Sequence, residues 1–406
     1  MSYQHTPYAK PDPYNALQIP IYQSDAFEFN SAEEMEAAFT GKTADHSYSR
    51  VSNPTVQFFE ERVRSVTKAY SVTALNSGMA AISNTFLTLA KAGSNIVTST
   101  HLFGNTYSLF KSTLGAFGVE ARCCDLTNLN DVSAHIDENT CGIFLEIITN
   151  PQMEVANLKA LSEIAVKAGV PLIADTTIVP FCAWKAKDLG VHIEVVSSTK
   201  YISGGATCLG GLIIDYGNFN WDKSPKLKKL ASEHGAASFT YLLRKEIHRN
   251  LGAYMTPQVA YLQTLGMETL QVRFAKAAGT CLQLANALKQ VDGIVSVNYT
   301  ALKDNPFYEL SNAQFGPLPG AMLTFDLESR ERCYRFMNHL KLIKRATNLF
   351  DNKSLAIHPA STIFGTFTEA DRRLMNIKQE TIRLSVGLED LDSLLDDITQ
   401  SLNTSK

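Results

Sequence analysis

At 406 residues and 45% hydrophobic content, the chain is long enough for two or more domains, each with its own core. Its 37 basic and 40 acidic side chains leave a formal charge of −3 with no basic block, which excludes the footprint of a nucleic-acid binder and points to small-molecule chemistry. No apolar run is long enough to span a bilayer, and the first residues lack the pattern of a signal peptide. A cytoplasmic protein with no membrane partner is therefore expected.

The first forty or so residues hold Pro11, Pro13 and Pro20 among aromatic and polar residues, which predicts an extended arm rather than a helix. Such an arm lies on its own subunit or reaches a neighbour. From Asn53 onward the pattern alternates between helix-like "TVQFFEERVRSV", strand "SVTALN", helix-like "GMAAISNTFLTLAKA" and strand "NIVTST". It continues through helical "NTYSLFKSTLGAFG", strand "GIFLEI", helical "NLKALSEIAVKAG", then strands "PLIADTT" and "IEVVSST". Alternation of this kind predicts a mainly parallel sheet flanked by helices, with ligands beyond the carboxyl ends of its strands. After "GGLIID" a polar stretch follows, in which "KLKKL" at 226–230 reads as a solvated face, and helical periodicity then runs from Tyr241 to about Val291. The domain boundary is placed in that helical region: an arm over 1–52, a large domain over 53–250, and a linking helix with a smaller α+β domain over 251–406. The seven cysteines are odd in number and lack a C-x-x-C pair, so they read as reduced thiols, mostly in the core.

Chemistry gathers at the strand ends. In "SSTKYISGG", Lys200 stands among small hydroxyl residues and glycines, which let the chain close around a bulky ligand. "LNSGMAAI" places Ser77, Gly78 and Met79 at a strand-to-helix junction, where free N–H groups and the helix dipole suit a phosphate. Asp175 ends the apolar strand of "IADTT" and suits a cationic ring nitrogen. Singly, each has an ordinary reading: a cap for Ser77, a turn for Asp175, a surface lysine for Lys200. Together, a phosphate cradle, an acid for a pyridinium nitrogen and a lysine for an aldehyde are what pyridoxal phosphate requires.

From "YSRVSNPT" to "IRLSVGLED" the chain resembles the cysteine/methionine-metabolism family of fold-type-I pyridoxal-phosphate enzymes. That resemblance implies a central, mainly parallel sheet flanked by helices, a smaller C-terminal domain, and a homotetramer built as a dimer of dimers with active sites shared between subunits. It implies that Lys200 carries the coenzyme as a Schiff base and shuttles protons, and that Asp175, 25 residues earlier, keeps the ring nitrogen protonated. Gly78 and Met79 match backbone phosphate binders, with Ser77 beside them, and Ser197 and Thr199 match hydroxyl donors. Tyr48 and Arg50 match a pair that reaches the phosphate from an adjacent subunit. Asn150 matches a residue near the phenolic oxygen, Glu146 a place near the coenzyme, and Arg383 the clamp on the substrate carboxylate.

Two positions depart from the family pattern. Phe103, 25 residues after Gly78, stands where a tyrosine is usual, so the stacking plate is kept and the acid is lost. Either Lys200 moves the protons unaided or a group such as Tyr107 substitutes. Phe350 stands where glycine is usual and either narrows the site or packs against a neighbour's arm. Asn348, Asn105 and the segment "IIDYGNFNW" resemble the sulfhydrylase branch. The implied reaction is γ-replacement on an activated homoserine ester, O-acetylhomoserine with sulfide or another small sulfur donor, giving homocysteine and acetate in methionine biosynthesis. Elimination by a γ- or β-lyase, cystathionine γ-synthesis, and a non-catalytic scaffold are the alternatives. Trp184 and Trp221 read as packing groups, and His101, His192 and His358 as structural hydrogen-bonding residues.

Overall fold

The structure, a computed structural model, describes Asp12 and residues 14 to 404. Seven strands form the larger sheet: β1 (Ser71–Leu75), β2 (Asn95–Thr98), β3 (Glu120–Cys123), β4 (Thr140–Glu146), β5 (Leu172–Asp175), β6 (Ile193–Val196) and β7 (Gly211–Asp215). Their order is β1-β7-β6-β5-β4-β2-β3, and β7 alone runs against the others. The runs "GIFLE", "LIA" and "IEVV" are buried on both faces, as a sheet covered by helices on each side requires. β3 has an exposed and partly exposed pattern with no apolar run, and sequence periodicity does not mark it.

The helices start where capping chemistry places them. Asn53 accepts a hydrogen bond from Thr55 N ahead of Pro54, opening the helix Pro54–Thr67. Ser77 caps Gly78–Leu89 through Ala80 N, and Asn157 caps Leu158–Ala168. In the arm the expectation of no helix is corrected: Ala32–Phe39 is helical, with Ser31 accepting from Glu34 N and with Glu33 and Glu34 in the first turn. The prolines that argued against a helix all precede this segment. Residues 1 to 11 and 13 of the expected arm lie outside the described residues.

The "KLKKL" segment is also corrected. Lys226 Nζ donates to the carbonyls of Leu87 (2.6 Å) and Ala90 (2.9 Å), closing the carboxyl end of the helix after β1, and Leu227 is fully buried. Only Lys228 and Lys229 face solvent. The helical periodicity after Tyr241 resolves into short helical segments up to Leu251 and then two longer helices, Pro257–Glu268 and Leu270–Leu288.

A second, five-stranded sheet follows: β8 (Ser296–Asn298), β9 (Met322–Asp326), β10 (Lys344–Arg345), β11 (Leu355–Ile357) and β12 (Thr381–Ser385), in the order β10-β11-β12-β9-β8. β12 is central and carries Arg383 opposite Thr324 and Ile357. The Tyr201 hydroxyl accepts from Ala321 N (2.9 Å), tying the residue after Lys200 to the edge of β9. Trp184 and Trp221 are buried in the core, and all seven cysteines are free thiols. Among the described residues, no helix is long and apolar enough to cross a membrane.

Candidate active site

The strand ends of the larger sheet and the arm 347–363 of the smaller one enclose a cavity of about 680 Å³. That volume lies in the range of pre-formed small-molecule sites. Lys200 enters it from the turn after β6. Its Nζ donates to Asn348 Oδ1 at 2.7 Å. Burial, and then the charge of Arg383, push the Lys200 amine down to about 8, against the opposing pull of Asp175 and Asp351. About a tenth of such an amine is neutral at pH 7, against well under a thousandth for an exposed lysine.

Asp175 ends β5, and its register partner on β4 is Glu146. Asp175 Oδ1 accepts from Thr177 N at 3.0 Å. Burial pushes its carboxyl above the ordinary range, and the hydrogen bonds of Thr177 and the charge of Lys200 only partly offset this. Among the described residues Asp175 makes no ion pair. An acid held this way gains most from a cationic ring nitrogen placed against it.

Arg383 is 2% exposed and has no carboxylate partner among the described residues. Nη1 donates to Asn150 Oδ1 and Nη2 to the Asn348 carbonyl, each at 3.2 Å, while Nε has no partner among the described residues. Burial pushes its guanidinium down to about 9. A buried guanidinium left with neutral partners is a receptor for a carboxylate.

At the far end, Ser77, Gly78, Met79, Ser197 and Thr199 line the cavity around the start of the helix Gly78–Leu89. A Cβ on Gly78 would lie 2.7 Å from Ser197 Cβ, so the close approach of the two segments requires glycine there. The Thr199 hydroxyl is bonded to Gly210, accepting from its N at 3.0 Å and donating to its carbonyl at 3.1 Å. Phe103 and Asn105 contribute from the cap and first turn of the short helix Gly104–Ser108 that follows β2.

Tyr48 and Arg50 are not brought to this cavity. Tyr48 is 42% exposed, with the Arg50 guanidinium 5.3 Å from its ring centroid, and Arg50 Nη1 donates to the carbonyl of Arg249. Tyr107 does not line the cavity either; it is buried and its ring packs near Phe367. Phe350 lines the cavity, is 2% exposed and stacks on Tyr201 with centroids 4.3 Å apart and planes 10° apart. Its φ of 53° is left-handed, an unusual conformation for a bulky residue. Sequence reasoning missed Thr347, Leu349, Thr362 and Ile363, whose only signal is their place on the segment that the smaller sheet folds over the cavity.

The side chains present fit pyridoxal phosphate. Lys200 would hold its aldehyde carbon, Asp175 its ring nitrogen, and the helix start with Ser77, Gly78, Met79, Ser197 and Thr199 its phosphate, leaving Arg383 for an amino acid's carboxylate.

Comparison with known proteins points to the same coenzyme. The family model described as Cys/Met metabolism PLP-dependent enzyme matches residues 3–403. The O-acetyl-L-homoserine sulfhydrylase of Corynebacterium glutamicum is 33% identical over 403 residues, covering 95% of this chain and 92% of that protein. A crystal structure of a putative O-acetylhomoserine (thiol)-lyase from Campylobacter jejuni, which carries N′-pyridoxyl-lysine-5′-monophosphate, superposes with a TM-score of 0.94 at 32% identity, covering 99% of this chain and 98% of that one. The structure of an O-acetylhomoserine sulfhydrylase from Wolinella succinogenes is 44% identical, with a TM-score of 0.77, covering 87% of this chain and 98% of that one. Matched over nearly its whole length and equipped at its strand ends for the coenzyme, the chain belongs to the Cys/Met metabolism family of pyridoxal-phosphate-dependent enzymes.

Proposed function

We propose that the protein catalyses γ-replacement on an activated homoserine ester, O-acetylhomoserine, with sulfide or another small sulfur donor, yielding homocysteine and acetate. The observation that carries this reading is the hydrogen bond from Lys200 Nζ to Asn348, on a segment that also accepts from Arg383. A base and a carboxylate clamp sharing one support would favour this reading. The similarity to sulfhydrylases supports the choice of reaction.

When bound, pyridoxal phosphate supplies an electron-withdrawing ring that stabilises negative charge at the amino acid's α-carbon. Arg383 binds the α-carboxylate and fixes which carbon faces Lys200. Lys200, with its amine near 8, is basic enough to take the α-proton and neutral often enough to act. Asn348 Oδ1 holds Nζ in place between proton transfers. Asp175, without a cation of its own, keeps the ring nitrogen protonated. Phe103 and the apolar walls of Ile82, Ile148 and Ile178 exclude water that would divert the reaction towards elimination.

Tyr48 and Arg50 are assigned to the cavity of a neighbouring subunit in a homotetramer, as a dimer of dimers. Their distance from the chain's own cavity, on a half-exposed arm, supports this reading. The division into arm, large domain and smaller domain at 52/53 and 250/251 is part of the same proposal.

The test offers the holoenzyme acetyl-, succinyl- and phosphohomoserine with sulfide, and methionine without a nucleophile. Homocysteine and acetate should form fastest from the acetyl ester. Release of a keto acid and ammonia from methionine at a higher rate than homocysteine synthesis would replace this reading by elimination.

A further inference from the structure

Outside the catalytic cavity, Cys124, Asp131 and His135 converge: one ligand atom from each lies within 4.8 Å of the other two. Among the described residues, no other three histidine, cysteine, aspartate or glutamate side chains meet in this way. In the sequence they are spaced C-x6-D-x3-H, without the close cysteine pair of a common zinc motif. The fold brings them together. Cys124 follows the last residue of β3 and is held there by donation from its N to the Thr98 carbonyl at 2.8 Å. Asn128 then caps the short helix Leu129–Ala134, accepting from Asn130 N and Asp131 N, and Asp131 and His135 stand one turn apart on its face. Cys124 and Asp131 also line a second cavity of about 420 Å³, which Glu146 borders as it does the catalytic one.

We propose that Cys124, Asp131 and His135 form a binding site for Zn²⁺, with the thiolate, one carboxylate oxygen and a ring nitrogen as ligands and a water of the second cavity in the fourth position. The donor set selects the metal. Hard cations such as Mg²⁺ and Ca²⁺ take oxygen ligands throughout, whereas sulfur, imidazole and carboxylate together suit Zn²⁺. Three protein ligands with an open fourth position is a known zinc arrangement. The spacing suits it as well. His135 Nδ1 lies 3.3 Å from Asp131 Oδ1, close to the edge of a tetrahedron whose metal bonds are about 2.0–2.1 Å long. Nδ1 also lies 2.8 Å from the Asp131 carbonyl, so coordination through it requires the ring proton on Nε2.

Charge and access support the site. Asp131 Oδ2 accepts from Asp125 N at 2.9 Å, which brings a second acidic residue alongside. Among the described residues neither Asp125 nor Asp131 is paired with a lysine or arginine, so the local field is negative and draws a cation. Cys124 is buried, whereas the side chains of Asp131 and His135 are each 35% exposed and leave a path from solvent. Burial, and then Asp131, push the Cys124 thiol up to about 12, so coordination displaces its proton. The S–H bond breaks, the sulfur–zinc bond forms with the electron pair left on sulfur, and the proton leaves to water. Bound in this way, the metal fastens the edge strand β3 to the helix that follows it.

The experiment equilibrates the reduced holoenzyme with Zn²⁺ and measures metal per chain after dialysis, affinity by competition with a chromophoric chelator, and the zinc ligand shell by X-ray absorption. One Zn²⁺ per chain should be retained, with one sulfur at about 2.3 Å and the other ligands nitrogen or oxygen at about 2.0–2.2 Å. Cys124→Ser and His135→Ala should each weaken binding by about 100-fold or more, because losing a group that merely orients a ligand already costs about 10–100-fold. Cys208→Ser and His234→Ala, which alter a thiol and an imidazole outside the cluster, should bind Zn²⁺ as the native protein does. Retention of no metal overturns the proposal. A shell of nitrogen and oxygen alone overturns it too, since the ion then sits elsewhere, as does unchanged affinity in Cys124→Ser or His135→Ala. If Cys124→Ser does not fold, His135→Ala decides with the sulfur distance: native affinity in that variant, or no sulfur in the native shell, overturns the assignment.

Discussion

Replacing Phe350 by glycine sets two opposing effects against each other. The native ring is 2% exposed and stacked on Tyr201 at 4.3 Å. Deleting a buried phenylalanine side chain costs about 3–5 kcal/mol, which includes the cavity it leaves, and a favourable ring pair adds about 0.5–1.5 kcal/mol. The backbone sits at φ 53°, where a side chain costs roughly 1–2 kcal/mol and glycine costs nothing. Phe350→Gly should therefore destabilise by about 3–4 kcal/mol. Phe350→Ala loses the same ring and keeps the left-handed penalty, so it should lose about 5 kcal/mol, reversing the usual order of alanine over glycine. Urea titrations of the three proteins, compared at constant slope, give both differences. A glycine variant as stable as the native protein would show that the stack contributes nothing. An alanine variant more stable than the glycine variant would show that the backbone there is unstrained.

Gly78→Ala puts a Cβ 2.7 Å from Ser197 Cβ, an overpacking of roughly 1–3 kcal/mol at the proposed phosphate site. Coenzyme affinity, measured by dialysis and absorbance, should fall about tenfold or more, and unchanged retention would remove the helix start from the site. Lys226→Met leaves the carbonyls of Leu87 and Ala90 without their donor and should cost about 1 kcal/mol in denaturant, whereas Lys229→Met should cost nothing measurable. For Glu146 the acid's folded value is raised from 4.5 to about 8, so its contribution to stability is complete below 4.5 and is lost as pH rises through 8. The difference is about 5 kcal/mol at the limit, and Glu146→Gln should flatten the apoprotein's stability profile between those values; parallel profiles would refute the buried neutral acid. Mixed oligomers of inactive Arg50→Ala and Lys200→Ala should regain about a quarter of native activity if each site borrows Arg50 from a neighbour, and no recovery would place Arg50 outside the shared site.

Much of the larger sheet was legible because each strand is a short buried run bounded by a cap or turn residue, as with "IEVV" before the Ser197 turn. The same runs located Asp175 and Lys200, since strand ends are where such sheets place ligands. What escaped was set by contacts between distant segments. β3 has no apolar signature because it is an edge strand, paired only through β2. The helix Ala32–Phe39 shows no buried residue, so its evidence was the cap at Ser31 and the acidic first turn, which the preceding prolines obscured. Lys226 looks like any solvated lysine until the helix it closes, more than a hundred residues earlier, is laid beside it. Glu146 was marked only by resemblance, because nothing in "FLEIITN" tells that this residue borders two cavities.

The cavity is assembled from two sources: the proposed anchorage of the coenzyme comes from the larger sheet, while Asn348, Arg383 and the segment 347–363 come from the smaller one. This division separates two inheritances. A descendant can trade one amino acid for another by editing a short stretch of the second half, at positions such as Thr347 or Thr362, with the vitamin's berth left intact. Novel catalysts should therefore arise from this scaffold by recombining carboxyl-terminal halves more readily than by altering the amino-terminal one.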